Sequence, residues 1–121
     1  MASIAPWLSV PDATQALAFY ATAFGAIVLE RLEDGGGIVQ VARLAVEGAE
    51  FWIQTDVAPG PDAHEGGRVR LILTVDDPDA VFAGAVTAGA TAVAPVYEGH
   101  GWRIGRVVDP CGHDWEIAKR L

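Results

Sequence analysis

The sequence predicts an α+β fold built from two tandem βαβββ units that are related by a pseudo-twofold axis. Two segments, about 65 residues apart, carry strand, helix and turn patterns in the same order. A Pro- and Gly-rich stretch without periodicity, 56–67, joins them as a linker. We expect one domain over 1–121, with one unit at 1–56 and the other at 68–121. Because a lone unit would leave an apolar sheet face uncovered, the units should form a curved mixed sheet around a cleft, with the helices outside.

The first unit is predicted to contain a strand at 4–10, a helix at 13–24, and strands at 26–32, 38–46 and 50–55. Asp12 is suited to begin the helix, because a short carboxylate accepts hydrogen bonds from the free amides of the first turn. Apolar residues recur along the helix at three- and four-residue spacing, which gives it one face to bury. Gly25 is a typical stop for this helix.

The second unit repeats the order, with a strand at 69–75, a helix that ends at 88–89, and strands at 91–96, 102–108 and 113–118. Asp77 is the matching N-cap, and Pro78 suits the first helical position because its missing amide hydrogen would be unpaired there. Gly89 is the matching stop.

Composition excludes several classes of function. With 16 acidic against 8 basic residues, the net charge of -8 opposes binding to nucleic acid, and no basic run compensates for it. No apolar run approaches the roughly 20 residues of a membrane helix, and the first residues lack a secretory pattern. Cys111 is the only cysteine, so a disulfide within the chain is excluded. We expect a cytoplasmic protein with no nucleic acid or membrane partner.

Several short stretches, in order, resemble one known superfamily. They are Val10-Pro11-Asp12, Phe19-Tyr20, Phe24-Gly25, Val75-Asp76-Asp77 and Asp109-Pro110-Cys111-Gly112-His113-Asp114-Trp115-Glu116. Their spacing is similar to that of the vicinal oxygen chelate superfamily of glyoxalases, bleomycin-resistance proteins and dioxygenases, and closest to its small PhnB-like or glyoxalase-like branch. The resemblance covers essentially the whole chain and implies the tandem fold. It does not imply one function, because the scaffold supports metal-dependent enzymes as well as metal-free antibiotic binders.

The resemblance also implies four metal-ligand positions, on the first and last strands of both units. In this sequence they fall on Ala5, Arg70, Glu116 and Trp52, or on Gln54 in place of Trp52 if the register slips by two residues. Only Glu116 is a strong ligand, and a guanidinium group in the same cleft opposes cation binding. We therefore expect no metal and no other cofactor.

A divalent metal is the alternative, with its ligand set completed by His100 or by a partner chain. His64 and His113 are less suitable, because they lie in the linker and beside a turn. Arg70 and Glu116 could instead form a bidentate pair. Such a pair is either inert or an anchor, in which Arg70 binds a carboxylate or carbonyl and Glu116 binds an amine or hydroxyl.

The four tryptophans all fall on predicted strands, so strand alternation assigns each to one face. Trp7 and Trp52 should point into the cleft, where they either stack on a planar or cationic ligand or fill a small core. Trp115 should point away from it, toward a helix. Trp102 follows the loop 98–101 and is either a movable wall of the pocket or an edge residue at a dimer contact.

Three functions follow from these residues. The first is metal-free binding of a small organic molecule, an antibiotic or a metabolite, by Trp7, Trp52, Arg70, Trp102 and Glu116. The second is a lyase, isomerase or dioxygenase in which Glu116 is a metal ligand or a general base. The third is a role in assembly alone, with the cleft closed by tryptophans. We expect a homodimer, and the long linker would permit exchange of units between chains.

Overall fold

The computed structural model describes residues 3–56 and 69–121, which form eight strands and two helices. The first unit consists of β1 (Trp7–Val10), α1 (Ala13–Phe24), β2 (Ile27–Glu33), β3 (Val39–Val46) and β4 (Ala49–Thr55). The second consists of β5 (Arg70–Thr74), α2 (Pro78–Thr87), β6 (Thr91–Gly99), β7 (Trp102–Val108) and β8 (Asp114–Arg120). The predicted α+β class and the tandem βαβββ order are confirmed.

Each unit forms its own four-stranded mixed sheet. Sheet A has the order β1-β4-β3-β2, and sheet B has the equivalent order β5-β8-β7-β6. In both, the first and last strands of the unit pair in parallel, and the other pairs are antiparallel. The identical topology of the two sheets is the structural form of the repeat in the sequence.

The helices begin where the sequence predicts. Asp12 accepts hydrogen bonds from the amides of Thr14 and Gln15, at 2.9 and 3.3 Å. Asp77 accepts one from the amide of Ala80 at 3.1 Å. Gly25 ends α1 in the left-handed conformation, with φ of 70°. Gly89 is the matching stop of α2, since it follows the cap residue Ala88 with φ of 122°. The amides of Gly89 and Ala90 donate to the carbonyls of Val86 and Ala85 at 3.1 and 2.9 Å, which is the hydrogen-bond pattern of a glycine stop.

Two strand boundaries, the start of β1 and the end of β6, differ most from prediction. β1 begins at Trp7 rather than at residue 4, directly after Pro6, which has no amide hydrogen to donate to a sheet. β6 extends to Gly99, because it forms a hairpin with β7 through a two-residue turn. His100 and Gly101 make this turn with φ of 55° and 83°. The predicted linker 56–67, with His64, lies outside the described residues except for Asp56.

One core is shared by both units. It contains the apolar side of α1, the inward residues of sheet A, and residues of sheet B. Trp115 of β8 is central to it, as predicted, because its ring centroid lies 4.8 Å from that of Phe24 on α1 and 5.8 Å from that of Phe51 on β4. Neither helix in the described part of the chain is long and apolar enough to cross a membrane.

The inner sides of the two sheets meet in the common core. Phe51 of sheet A and Trp115 of sheet B both face the common core, with α1 packed beside them. Each sheet is therefore covered by helices on its inner side and open on its outer side. Because the inner sides face one another, the two outer sides point away from each other. In the part of the chain that the structure describes, the two outer faces therefore lie on opposite sides of the common core.

Candidate functional site

A row of four side chains crosses the open face of sheet A. The strand register places Trp7 opposite Trp52, Trp52 opposite Arg43, and Arg43 opposite Glu30. Residues directly opposite each other in a sheet share one face. We call the surface around this row the outer face of sheet A. Its neighbours along the strands, such as Leu8, are buried in the core, as alternation requires.

The two tryptophans of this row stack on each other and contact neighbouring side chains. The rings of Trp7 and Trp52 stack with centroids 5.8 Å apart and planes 22° apart. The guanidinium carbon of Arg43 lies 5.7 Å from the ring centroid of Trp52. The Trp7 indole donates a hydrogen bond of 3.0 Å to the side-chain oxygen of Gln54. Trp7 is nonetheless 51% exposed, so its ring is the open end of the stack.

Arg43 is held by two carboxylates on the same face. Its Nε donates to Glu30 at 2.9 Å, and its Nη1 donates to Glu50 at 2.8 Å. The two hydrogen bonds, with that to Glu50 the larger cause, raise the pKa of Arg43 above its ordinary value. The guanidinium group beside Trp52 is therefore a fixed and fully paired cation.

The equivalent row on sheet B has a different chemistry. Ile72 lies opposite Glu116, Glu116 opposite Arg106, and Arg106 opposite Ala94. We call this surface the outer face of sheet B. Ile72 therefore stands where Trp7 stands in sheet A, and Glu116 where Trp52 stands. Trp52 and Glu116 are alike in that each lies opposite an arginine on the neighbouring strand.

Arg70 and Glu116 are brought together as the sequence suggests. Nη1 of Arg70 donates a hydrogen bond of 2.6 Å to Oε1 of Glu116. The contact is a single hydrogen bond rather than a bidentate pair, and the Arg70 side chain is 46% exposed. An ion pair this exposed adds little to stability, typically about 0–1 kcal/mol. The pair instead affects what Glu116 can bind, because the Glu116 carboxylate already has a cationic partner.

The predicted metal positions do not form a ligand set. Ala5 precedes β1 and is exposed, while Trp52 and Arg70 offer no donor to a cation. Glu116 is bound to Arg70, and Gln54 to Trp7. Among residues 3–56 and 69–121, no group of three His, Cys, Asp or Glu side chains could hold a metal ion. The donor chemistry of these positions does not fit a divalent cation.

Trp102 lies at the end of sheet B, away from the central row. The guanidinium carbon of Arg120 lies 6.0 Å from its ring centroid, and its strand partner is Gly99. The preceding segment is a tight hairpin turn rather than a long loop. A hairpin of this kind holds Trp102 in place, so the structure offers no support for a movable wall.

The site residues therefore form two groups that the described chain does not join. Trp7 and Trp52 lie on the outer face of sheet A, whereas Arg70, Glu116 and Trp102 lie on that of sheet B. Sequence reasoning missed Arg43 and Arg106, which occupy equivalent places on β3 and β7. The signal that could have found them is the repeat itself, since aligning the two units pairs one with the other.

A separate cavity lies on the helix side of the molecule. It has a volume of about 500 Å³ and is bordered by the start of α1 and by the turn that contains Pro110 and Cys111. Burial, followed by the charges of Asp109 and Asp12, raises the pKa of the Cys111 thiol to about 12. A thiol with so high a pKa is a poor nucleophile.

Comparisons with known proteins bear on the whole of this arrangement. Residues 7–118 match the family model of the glyoxalase-like domain. Protein Mb0911c of Mycobacterium bovis is 36% identical, over 97% of this chain and 82% of its own length. TioX from Micromonospora sp. ML1 is 26% identical and superimposes with a TM-score of 0.76, covering 99% of this chain and 97% of TioX. A glyoxalase/bleomycin resistance protein/dioxygenase family enzyme from Burkholderia phytofirmans PsJN, 21% identical, shares the fold with a TM-score of 0.75 over 95% of both chains.

Proposed function

The chain belongs to the glyoxalase-like domain family of the vicinal oxygen chelate superfamily, and from that premise we propose that it binds a small planar organic molecule without a metal ion. In this proposal the ligand occupies a cup between the outer face of sheet A of one protomer and the outer face of sheet B of its partner. The protein acts in the cytoplasm, and the ligand is an antibiotic or a metabolite.

The observation that carries the proposal is the exposed tryptophan stack. An indole ring that is 51% exposed leaves a large apolar area in water, and covering it contributes roughly 25 cal/mol per Å². Trp52 has Trp7 as one neighbour and Arg43 as the other, so it acts as a support. The open ring of Trp7 is the surface on which a planar molecule would stack.

The residues at the metal positions support binding without a metal. Arg70 places a permanent positive charge beside Glu116, which is the only carboxylate among the four predicted ligands. Bringing a divalent cation to Glu116 would require breaking this ion pair and overcoming repulsion by the guanidinium group. The same pair suits an organic ligand, since its two members offer one donor group and one acceptor group.

The need for a partner follows from the placement of the two faces. They point away from each other in one chain, so a ligand on Trp7 cannot reach Glu116 of the same protomer. A second copy can bring its outer face of sheet B over the first chain's outer face of sheet A. Ile72, 64% exposed, would then help to cover the apolar stack. A two-fold arrangement of this kind makes two equivalent cups.

The first experiment measures bound metal in untagged protein purified without chelators. Elemental analysis should find far less than one metal per chain, and addition of Ni, Zn, Mn or Fe should leave the tryptophan fluorescence unchanged. A tight metal at one per chain would overturn the metal-free proposal. It would also direct attention to enzymatic activity, with Glu116 as a ligand.

The second experiment tests the cup. Light scattering should give twice the chain mass of 12.7 kDa, and Trp7→Asp and Ile72→Asp should each give monomers. Val86→Asp is the matched control, because Val86 is an exposed apolar residue of α2, away from both outer faces. Wild-type protein that is monomeric, or aspartate variants that stay dimeric, would contradict the shared cup.

A further inference from the structure

Arg106 is a cation without a hydrogen-bonded acceptor on the outer face of sheet B. Its Nε atom is buried and has no hydrogen-bond partner in the described part of the chain. Its one ionic contact is a distance of 3.8 Å from Nη2 to Oδ1 of Asp114, which is too long for a hydrogen bond. The side chain is 31% exposed, so part of the guanidinium group is open to a ligand. An arginine in this state presents donors that are ready for an incoming acceptor.

In the first unit, the equivalent arginine has the carboxylate partners that Arg106 lacks. Arg43 occupies the equivalent place in sheet A, and its Nε binds Glu30. The residue opposite Arg106 at that position is Ala94, which has no acceptor. The second carboxylate is also changed, because Asp114 replaces Glu50 and is one methylene shorter. The two units thus hold equivalent arginines, of which Arg43 is hydrogen-bonded to two carboxylates and Arg106 has only the longer ionic contact with Asp114.

Arg106 lies on the part of sheet B that would line the proposed cup. It lies directly opposite Glu116, in the same row as Ile72. Glu116 does not accept a hydrogen bond from Arg106, since its carboxylate is bound to Arg70. The absent acceptor must therefore come from outside the sheet, on the side where the proposed ligand binds.

We propose that Arg106 recognises an oxyanion, and that the ligand of the cup is a planar molecule bearing a carboxylate. The inference rests on the proposed function, which it narrows from a planar molecule to a planar acid. The carboxylate pairs with the exposed end of the Arg106 guanidinium group, and the ring system stacks on Trp7. Arg–carboxylate pairs are short and charge-assisted, so this contact sets the orientation of the ligand in the cup.

The test compares two probes of the same shape, 2-naphthoate and 2-naphthamide, by isothermal titration calorimetry. Naphthoate should bind wild-type protein at least about tenfold more tightly, as expected for a hydrogen bond to a charged group. Arg106→Gln should remove this preference and leave naphthamide binding unchanged. Ala94→Glu should remove it as well, because it supplies the internal acceptor that the first unit possesses.

Val93→Glu is the matched control for Ala94→Glu. It adds the same charge on the same strand, one residue away on an exposed side chain, and should keep the preference for naphthoate. Equal binding of the two probes to wild-type protein would overturn the role of Arg106 and leave the planar cup intact. A preference that survives Ala94→Glu would overturn it too. Failure of both probes to bind at millimolar concentration would overturn the proposed function together with this inference.

Discussion

The hydroxyl group of Tyr20, on α1, donates a hydrogen bond of 2.5 Å to the carboxylate of Asp109, which lies between β7 and β8. Both residues are buried, and they belong to different units. The same carboxylate oxygen accepts the indole N–H of Trp115 at 2.8 Å. The other oxygen accepts the amides of Cys111 and His113, at 2.9 and 3.0 Å. One buried and fully paired carboxylate thus fastens the first unit to the second.

Tyr20→Phe should lower the free energy of unfolding by about 1–3 kcal/mol, because it removes one donor from a buried charge. Urea unfolding followed by circular dichroism measures this change. Tyr97→Phe is the control, since Tyr97 is 51% exposed and makes no comparable hydrogen bond in the described residues. Equal stability of the two variants would show that the link between the units does not depend on this contact.

Tyr20 also predicts how stability changes in base. Burial, and then the charge of Asp109, raises the pKa of Tyr20 above the ordinary tyrosine value of 10.0. The folded state therefore keeps Tyr20 protonated where the unfolded state loses its proton. The contribution to stability is complete below about pH 10 and is lost as the pH rises further. Wild-type protein should lose stability above pH 10 more steeply than Tyr20→Phe does.

Gly105 of β7 lies close beneath Phe82 of α2. A Cβ atom at this position would lie 2.7 Å from Phe82 and 2.8 Å from Val96. Gly105→Ala should therefore destabilise the fold by about 1–3 kcal/mol through overpacking. Gly84→Ala, within α2 and with open space around it, should instead stabilise the fold by about 0.5–1 kcal/mol. Thermal unfolding of the two variants should move in opposite directions.

The Cys111 thiol should react slowly. With its pKa raised to about 12, the thiolate fraction at pH 8 falls at least about a hundredfold below that of an ordinary cysteine. Labelling of folded protein by Ellman's reagent measures the rate. The reference is a Cys111→Ser variant that carries Ser3→Cys at an exposed position. Equal rates in the two proteins would contradict the raised pKa.

Much of the fold could be predicted from the sequence, because its markers are local. Asp12 and Asp77 cap their helices as expected, and alternation placed Trp115 in the core. The relation between the units could not be predicted in this way. It depends on long-range packing, since α1 contributes its aromatic rings to sheet B as well as to sheet A. Local periodicity shows that a face is apolar and does not show what covers it.

The residues of the candidate site stay a prediction from the repeat, and the contacts around them depend on strand pairing. The equivalence of Trp52 and Glu116 follows from counting along the repeat, and each of them lies opposite an arginine in its own sheet. Arg43 and Arg106 could not be predicted as site residues in this way, because they become adjacent to Trp52 and Glu116 only through strand pairing. Whether a given arginine is neutralised depends on a third strand, where Glu30 in one unit is replaced by Ala94 in the other.

The opposite placement of the two outer faces has a genetic consequence. In the proposed dimer, every chain contributes its tryptophans to one cup and its arginines to the other. A mixed dimer of a Trp7→Ala chain and an Arg106→Gln chain would concentrate both lesions in one cup and leave the other wild type. Two variants, each defective in binding the planar acid, would then recover on coexpression a complete site that neither forms alone, at one site per mixed dimer. Within a single chain no such complementation could occur.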